Sequence, residues 1–312
     1  MNLLRISTST SYYPIILSAV EAAMPPVIPS LKQQAVHFRF HYTRHPRLRD
    51  LLEGFYIFET SPGNESMEYV VFPSNHIVLS IFKNTGYNIG ETGIEIKESA
   101  ATPFLSLLTF NVDRPTCCRY TGSVKEICFC FKPLGFNHFI DNTLKEHYRE
   151  GSIPFSLSLG FENEMLALLE TTDEQALQEK AEWFWLSQLK EKNLTQAEAV
   201  VQMLLQNPQT DISVIAAELS VSRQHIARLF DTHLCKTPSA FRKIARFRET
   251  LQNRVRVLRQ EENLTALTYE SFFYDQSHLI KDFKKLTGMS PRTFFKGNRA
   301  FENGNINWFF PG

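Results

Sequence analysis

The last third of the chain contains an internal repeat, and this feature constrains the fold more than any other. A segment that begins at Ser222 matches, position by position, a second segment that begins at Asp275, 53 positions later. The matched pairs are His225 with His278, Ile226 with Leu279, Phe230 with Phe283, Cys235 with Gly288, Thr237 with Ser290, Pro238 with Pro291, and Phe241 with Phe294. A pattern written twice predicts two copies of one small structural unit.

Each copy has the pattern of two short helices joined by a tight turn. In the first copy, Asp211 can cap a helix that carries apolar residues at helical spacing, and Ser222 can cap a second helix after a two-residue turn. In the second copy, Asn263 and Asp275 occupy the corresponding cap positions. Each copy is therefore predicted to be a helix-turn-helix unit.

The second helix of each copy directs a polar face outward, which makes it the candidate contact with a nucleic acid. Arg and Gln side chains can pair bidentately with base edges in the major groove, and Lys side chains suit phosphates. The candidate DNA-binding residues are Ser222, Arg223, Gln224, His225, Arg228, Gln276, Ser277, His278, Lys281, Lys284, Lys285 and Arg292.

The segment between the copies has the spacing of a single helix. Apolar residues over Pro238–Arg259 recur at helical positions, and a helix of about twenty residues is roughly 30 Å long. Successive major grooves on one face of a duplex lie about 34 Å apart. One chain could therefore present both reading helices to one duplex.

The distribution of charge agrees with nucleic-acid binding. The formal net charge of the chain is zero, but residues 208–299 hold 16 Lys and Arg against 9 Asp and Glu, a balance of +7. The remaining residues hold 17 against 24, a balance of −7. A basic segment joined to an acidic remainder is typical of a DNA-binding module attached to another domain, although an ordinary solvated surface would show the same balance.

The second copy carries a family signature, formed by Asp275, Gln276, Ser277, His278, Phe283, Lys284, Lys285, Gly288, Ser290 and Pro291. With it, residues 197–296 resemble the AraC/XylS family of bacterial transcription regulators. The resemblance implies that residues 222–231 and 275–285 are the reading helices. The chain departs from the family at Cys235 and Phe272, where glycine is usual. Glycine at such positions commonly serves a left-handed backbone conformation.

A weaker resemblance covers residues 45–150, which are similar to an N-terminal domain found fused to such regulators. The matching segments are His45–Leu48, Phe72–Asn75 and Phe131–Phe136. The two resemblances imply double-stranded promoter DNA and RNA polymerase as partners of a transcription regulator, an activator or a repressor. They also imply an N-terminal region that senses a small-molecule effector or forms a homodimer. The five cysteines, odd in number and without a C-x-x-C pair, predict a cytoplasmic location.

The region before the repeat has a β texture. Short runs of aromatic and branched residues alternate with turn signals, which predicts strands. The predicted strands are Val36–Tyr42, Gly54–Glu59, Glu68–Phe72, Ile77–Lys83, Phe104–Val112 and Val124–Phe131. Many short strands at such spacing favour a small barrel or sandwich able to enclose a ligand. Helical spacing then predicts a helix over Phe136–Tyr148 and one or two helices over Phe161–Lys192.

These patterns predict an α+β chain with a β-rich barrel or sandwich, connecting helices and an all-α part in which a long helix joins two helix-turn-helix units. The expected divisions are a poorly ordered extension, a sensor or dimerisation domain, a helical connector, a DNA-binding domain and a tail. Their predicted bounds are 1–33, 36–150, 151–193, 194–299 and 300–312.

Other chemistry has weaker support in the sequence. His37, His41 and His45 have metal-ligand spacing on a helix, but the alternation around them favours a strand, so no metal site and no cofactor are expected. The five cysteines are expected to be buried thiols, and Glu126 an ordinary surface carboxylate. No catalytic motif and no membrane-spanning run is found. The alternatives are a small-molecule-modifying β-barrel enzyme with a regulatory helical domain, and an assembly protein whose helical part docks partners.

Overall fold

The computed structural model describes residues 36–60, 66–90, 93–110, 112–147, 152–257, 276–291, 294, 301–303 and 306–309. The predicted N-terminal extension lies outside the described residues. The predicted caps at Asn263 and Asp275, the second turn around Phe272 and the candidate contact Arg292 also lie outside them.

Ten strands before residue 160 are found among the described residues. They are β1 Val36–Tyr42, β2 Leu52–Thr60, β3 Met67–Val71, β4 Ile77–Lys83, β5 Thr85–Ile89, β6 Gly93–Glu98, β7 Phe104–Thr109, β8 Thr116–Thr121, β9 Lys125–Phe131 and β10 Ser152–Pro154. The six predicted strands are confirmed, with small differences at their ends. Sequence patterns missed β5, β6, β8 and β10, because these strands are short, and β5, β6 and β10 contain Gly, Asn, Glu or Pro, which strands otherwise disfavour.

The strands form two six-stranded sheets. The first sheet has the order β1-β2-β9-β4-β7-β10, and the second has the order β11-β12-β3-β8-β6-β5, in which β11 is Phe301–Asn303 and β12 is Ile306–Phe309. Neighbours are antiparallel except β6 and β8. Tyr56 and Phe58 of the first sheet pack with Tyr69 and Tyr120 of the second in one buried cluster. The predicted β-rich sandwich is therefore confirmed.

The outer face of the first sheet is covered by helices. These are α1 Pro46–Arg49, α2 Phe161–Glu170 and α3 Glu174–Ser187. Trp185 of α3 is fully buried, and its ring centroid lies 5.2 Å from that of Phe129 and 4.9 Å from that of Phe131. The prediction of one or two helices over Phe161–Lys192 is confirmed.

The predicted helix over Phe136–Tyr148 is wrong. The chain instead forms two short 3₁₀ segments, Gly135–His138 and Leu144–His147, on either side of the exposed pair Asp141 and Asn142. Asp and Asn compete with helical hydrogen bonding through their own side chains, so the apolar spacing here serves two turns rather than one helix.

The helical part begins at residue 195. Its described elements are α4 Thr195–Gln206, α5 Ile212–Glu218, α6 Arg223–Leu234, α7 Pro238–Val257 and α8 Gln276–Thr287. The predicted long helix between the copies is confirmed, because α7 has 20 residues. Within the described part of the chain, no helix combines the length and the apolar character that crossing a membrane requires.

Candidate nucleic-acid interface

The first helix-turn-helix unit, formed by α5 and α6, is held by the caps that the sequence predicts. The Asp211 carboxylate accepts a hydrogen bond from the Ser213 amide at 2.7 Å, and the Ser222 hydroxyl accepts one from the His225 amide at 3.0 Å. Each such cap contributes about 1 kcal/mol. Between the helices, Ile215 and Phe230 are fully buried. Together these contacts fix the first turn of α6 at the protein surface.

The outward face of α6 carries the predicted readers. Arg223, Gln224 and Arg228 are exposed, and His225 is half-buried. The His225 Nδ1 accepts a hydrogen bond from the Arg228 guanidinium at 2.9 Å, and its Nε2–H donates to the Gln196 side-chain oxygen at 2.8 Å. His225 therefore links α4 to the Arg228 side chain and orders that guanidinium beside the first turn of α6.

The second unit presents a basic face on α8. Gln276, Ser277 and His278 lie in its first turn, and the side chains of Lys281, Lys284 and Lys285 are exposed. Three exposed ammonium groups on one helix suit phosphates, whereas the α6 face offers Arg and Gln for base edges.

An ionic cluster that the sequence did not reveal joins α8 to α7. The Asp282 carboxylate is buried and accepts a hydrogen bond from the Arg246 guanidinium at 3.2 Å, with the Lys243 ammonium at 3.8 Å. Both cations lie on α7, so a buried carboxylate fixes the second reading helix to the long helix. In the sequence, the feature that could have indicated this cluster is Asp282, an acidic residue among the lysines of α8.

The two copies also share a backbone conformation at the residue that follows α6 or α8. Cys235 has φ 52° and Gly288 has φ 75°, both in the left-handed region. A side chain in this conformation costs about 1–2 kcal/mol. These two positions are matched in the internal repeat. The structure shows that Cys235 adopts the same left-handed conformation as Gly288 in the second copy.

The segment Phe72–His76 connects the β-rich region to the second unit. Phe72 is buried in a cluster with Phe247 and Phe294, with ring-centroid distances of 6.4 and 5.1 Å. The Arg248 guanidinium of α7 donates to the Phe72 carbonyl at 2.6 Å and to the Pro73 carbonyl at 2.7 Å. Burial lowers the pKa of Arg248 to about 10, which leaves it charged at neutral pH.

The same segment also contacts the first unit. The Asn75 side-chain amide donates to the Phe241 carbonyl at 3.0 Å, and the Lys236 ammonium donates to the Ser74 carbonyl at 3.1 Å. Burial lowers the pKa of Lys236 to about 8. The two units are therefore attached to one short stretch of the β-rich region.

A second link to the first unit is made by Leu134. It is buried in the cluster that contains Ile226 and Phe230, although it has a left-handed φ of 68°. Nearby, the Asn137 amide donates to the His233 carbonyl at 3.0 Å. Phe72–Asn75 and Phe131–Phe136, which carry the N-terminal resemblance, are thus two segments through which the β-rich region contacts the helices.

Between the two sheets lies a cavity of about 130 Å³. Its walls are mostly apolar and aromatic, and Arg248 of α7 forms part of them. His76 also faces it, and burial, reinforced by the charge of Arg248, lowers the pKa of His76 to about 3. The cavity therefore borders the segment that holds both units.

The prediction that Glu126 lies at the surface is wrong. Glu126 is 1% exposed and lines the cavity, because β9 is a central strand whose side chains are covered on both faces. The prediction of buried thiols is confirmed for Cys118, Cys128 and Cys130, whereas Cys117 and Cys235 are half-buried. Burial raises the pKa of Cys118, so it is a poor nucleophile.

The predicted strand around the three spaced histidines is also confirmed. His37 and His41 lie in β1, and His45 caps α1 by accepting from the Arg47 amide. The His41 ring stacks on Phe55 with centroids 4.8 Å apart. These histidines therefore have separate structural surroundings.

Comparison with known proteins agrees with this geometry. Residues 215–297 match the family described as a helix-turn-helix domain, and this domain is of the AraC type. A helix-turn-helix domain of this type supports a DNA-binding transcription regulator.

The solved structures that resemble the chain include ToxT from Vibrio cholerae, with 11% identity over 77% of this chain and 96% of that chain and a TM-score of 0.43. The unsaturated fatty acid-bound wild-type ToxT from Vibrio cholerae strain SCE256 has 11% identity over 76% and 93%, with a TM-score of 0.41. The AraC-like transcriptional activator CuxR has 12% identity over 67% and 79%, with a TM-score of 0.28. No curated protein matches the chain.

Proposed function

We propose that this transcription regulator reads a specific DNA sequence mainly through α6, anchors the adjacent phosphates through α8, and is controlled by a small molecule held between its two sheets. The observation that supports ligand control is the position of Arg248. This one residue of the helix between the units forms part of the cavity wall and binds the carbonyls of Phe72 and Pro73.

The division between reading and anchoring follows from the side chains. The exposed guanidinium of Arg228 and amide of Gln224 can each make two hydrogen bonds to one base, which discriminates between bases. The ammonium groups of Lys281, Lys284 and Lys285 are point charges that bind phosphates of any sequence. Binding affinity would then come largely from α8 and sequence preference largely from α6.

Ligand control follows from the links between cavity and helices. A ligand that displaces the cavity wall at His76 or Arg248 also displaces the backbone of the Phe72–His76 segment. Because this segment binds Lys236 of the first unit and Arg248 of α7, occupancy changes the placement of both units. A ligand with different affinities for the two placements shifts the population between them.

The test is a selection of bound DNA from a random pool with the full chain, repeated with Arg228→Ala and Lys284→Ala. The Arg228 variant is expected to lose about 1–3 kcal/mol of specific binding and to relax one base position. The matched Lys284 variant is expected to weaken binding to all sequences alike and to reduce the salt dependence by about one phosphate contact. Unchanged base preference after Arg228→Ala would contradict the proposed role of α6. Contact with RNA polymerase, homodimer formation, activation and the cytoplasmic location stay predictions.

A further inference from the structure

Glu126 is a carboxylate buried in the middle of the β-sandwich. It lies on β9, opposite Phe58 of β2 and Phe82 of β4 in the register of the first sheet. Its side chain faces the cavity and is almost fully removed from solvent. Burying an isolated, ionised carboxylate costs several kcal/mol, so a carboxyl group inside an apolar cavity either keeps its proton or is stabilised by a partner.

Among the described residues, the groups that donate hydrogen bonds to Glu126 are neutral hydroxyls. The Tyr120 hydroxyl donates to its Oε2 at 2.8 Å, and the Tyr56 hydroxyl donates to its Oε1 at 3.4 Å. Burial raises the pKa of Glu126, and the neighbouring hydroxyls, which favour the ionised form, offset this effect only in part. A positive charge placed beside the carboxylate would offset this cost directly.

The surroundings of Glu126 suit a cation in a second way. Tyr56, Tyr69 and Tyr120, together with Phe40 and Phe82, form an aromatic wall around the cavity. The faces of such rings attract an ammonium group, by about 2 kcal/mol when the pair is desolvated. A carboxylate flanked by aromatic rings therefore favours an ammonium over a neutral or anionic group.

The size of the cavity limits the ligand. Its volume is about 130 Å³, and a group the size of a water molecule occupies about 10–15 Å³ of such a cavity. The cavity thus accommodates roughly ten non-hydrogen atoms. Mostly apolar walls with a buried carboxyl group at Glu126 suit a small hydrophobic molecule whose cationic group contacts that residue.

We propose that the cavity binds a small hydrophobic primary amine whose ammonium group contacts Glu126 between Tyr56 and Tyr120. This proposal specifies the chemical class of the ligand, and it rests on the ligand control proposed above. The other polar residues of the cavity, among them Glu53, His76 and Arg248, then lie around the remainder of the ligand.

The experiment uses the full chain and three probes of closely similar shape: 2-phenylethylamine, 2-phenylethanol and phenylacetate. Titration calorimetry is expected to show saturable binding of the amine, about tenfold or more tighter than that of the alcohol or the acid, because only the ammonium makes a charge-assisted hydrogen bond to the carboxylate. Glu126→Gln keeps the size of the side chain and is expected to reduce amine affinity about tenfold or more.

Glu53→Gln is the matched control. Glu53 also lines the cavity, but its carboxylate lies 3.6 Å from the Lys132 ammonium, so this variant is expected to leave amine affinity within about twofold. Thermal unfolding and DNA binding without ligand verify that both variants are folded.

Three outcomes overturn the inference: no saturable amine binding, equal binding of amine and alcohol, or tighter binding of phenylacetate. Saturable binding of the alcohol or the acid with altered DNA binding would leave ligand control intact and reject only the amine class. Amine binding that depends on Glu126 without any change in DNA binding would support the site and reject the control mechanism.

Discussion

The two helix-turn-helix units align in sequence, but different residues of the β-rich region complete their hydrophobic cores. The first unit buries Ile215, Ile226 and Phe230 between its own helices, and the β-rich region adds one leucine, Leu134. The core around α8 instead includes the whole Phe72 ring from the β-rich region. Within the described residues, the duplicated sequence therefore reproduces a helix and the left-handed residue that follows it, but not the contacts with the rest of the chain.

Because of this difference, we expect the two units to respond differently when the Phe72–His76 segment is displaced. An aromatic ring fills more volume than a leucine side chain, and the second unit also carries the buried Asp282 cluster with Arg246 and Lys243. A displacement of the Phe72–His76 segment should therefore disturb α8 more than α6. We therefore expect phosphate anchoring by α8 to change more than base reading by α6.

The largest expected effect is that of Phe72→Ala. Removing a fully buried phenylalanine costs about 3–5 kcal/mol of unfolding free energy, and the loss should appear as faster amide hydrogen exchange in α8 than in α6. Leu134→Ala is the matched control, expected to cost about 2–5 kcal/mol and to expose α6 instead. If amide exchange accelerated equally in α6 and α8 in either variant, the two cores would not be stabilised independently.

An intermediate effect is expected from pH at His76. Its folded pKa of about 3 lies below the ordinary value of 6.5, so the neutral ring contributes stability that is fully present above pH 6.5 and is lost as the pH falls toward 3. From pH 7 to pH 5 the unfolding free energy should fall by about 1–2 kcal/mol more in the wild type than in His76→Asn. The measurement is urea unfolding at each pH.

The His76 result bears on both units, because Arg248 and Lys236 are two of the cations that lower its pKa, together with Lys132. Hydrogen exchange at pH 5 should therefore accelerate in α6 and in α8. If the unfolding free energy depended on pH in the same way in the wild type and in His76→Asn, His76 would not contribute to the link between the cavity and the helices.

The smallest effect is expected at the end of the reading helices. Gly288→Ala should cost about 1–2 kcal/mol, because the added methyl group meets no atom within 4 Å and only the left-handed backbone opposes it. Cys235→Ala leaves that backbone cost unchanged and should lose only the contacts of a half-buried thiol, less than about 1 kcal/mol. Urea unfolding of both variants compares the units directly, and equal losses would contradict the assignment of strain to Cys235.

Much of the helical part could be predicted from sequence because its signals are local. The caps at Asp211 and Ser222, the left-handed position at Cys235 and the length of α7 depend on residues within a few turns of one another. The proposed readers could be named for the same reason, since a polar helical face follows from spacing alone.

The contacts between regions could not be predicted in this way. Phe72 in Phe-Pro-Ser-Asn has the sequence of a turn, and nothing local indicates that its ring enters a core with Phe247 and Phe294. Glu126 was placed at the surface because an isolated carboxylate usually is exposed. Its burial follows from the position of β9 between β2 and β4, which is a property of the sheet order.

The final residues of the chain change how the helical part should be regarded. β12 pairs with β3, bringing Trp308 opposite Val71, and Phe72 follows β3 directly. The polypeptide therefore leaves the β-sheets after β10, forms α2 to α8, and joins the second sheet again at β11 and β12. In topological terms, these helices lie between strands of the β fold, so a probe attached within β12 would report from the second sheet and not from α6 or α8.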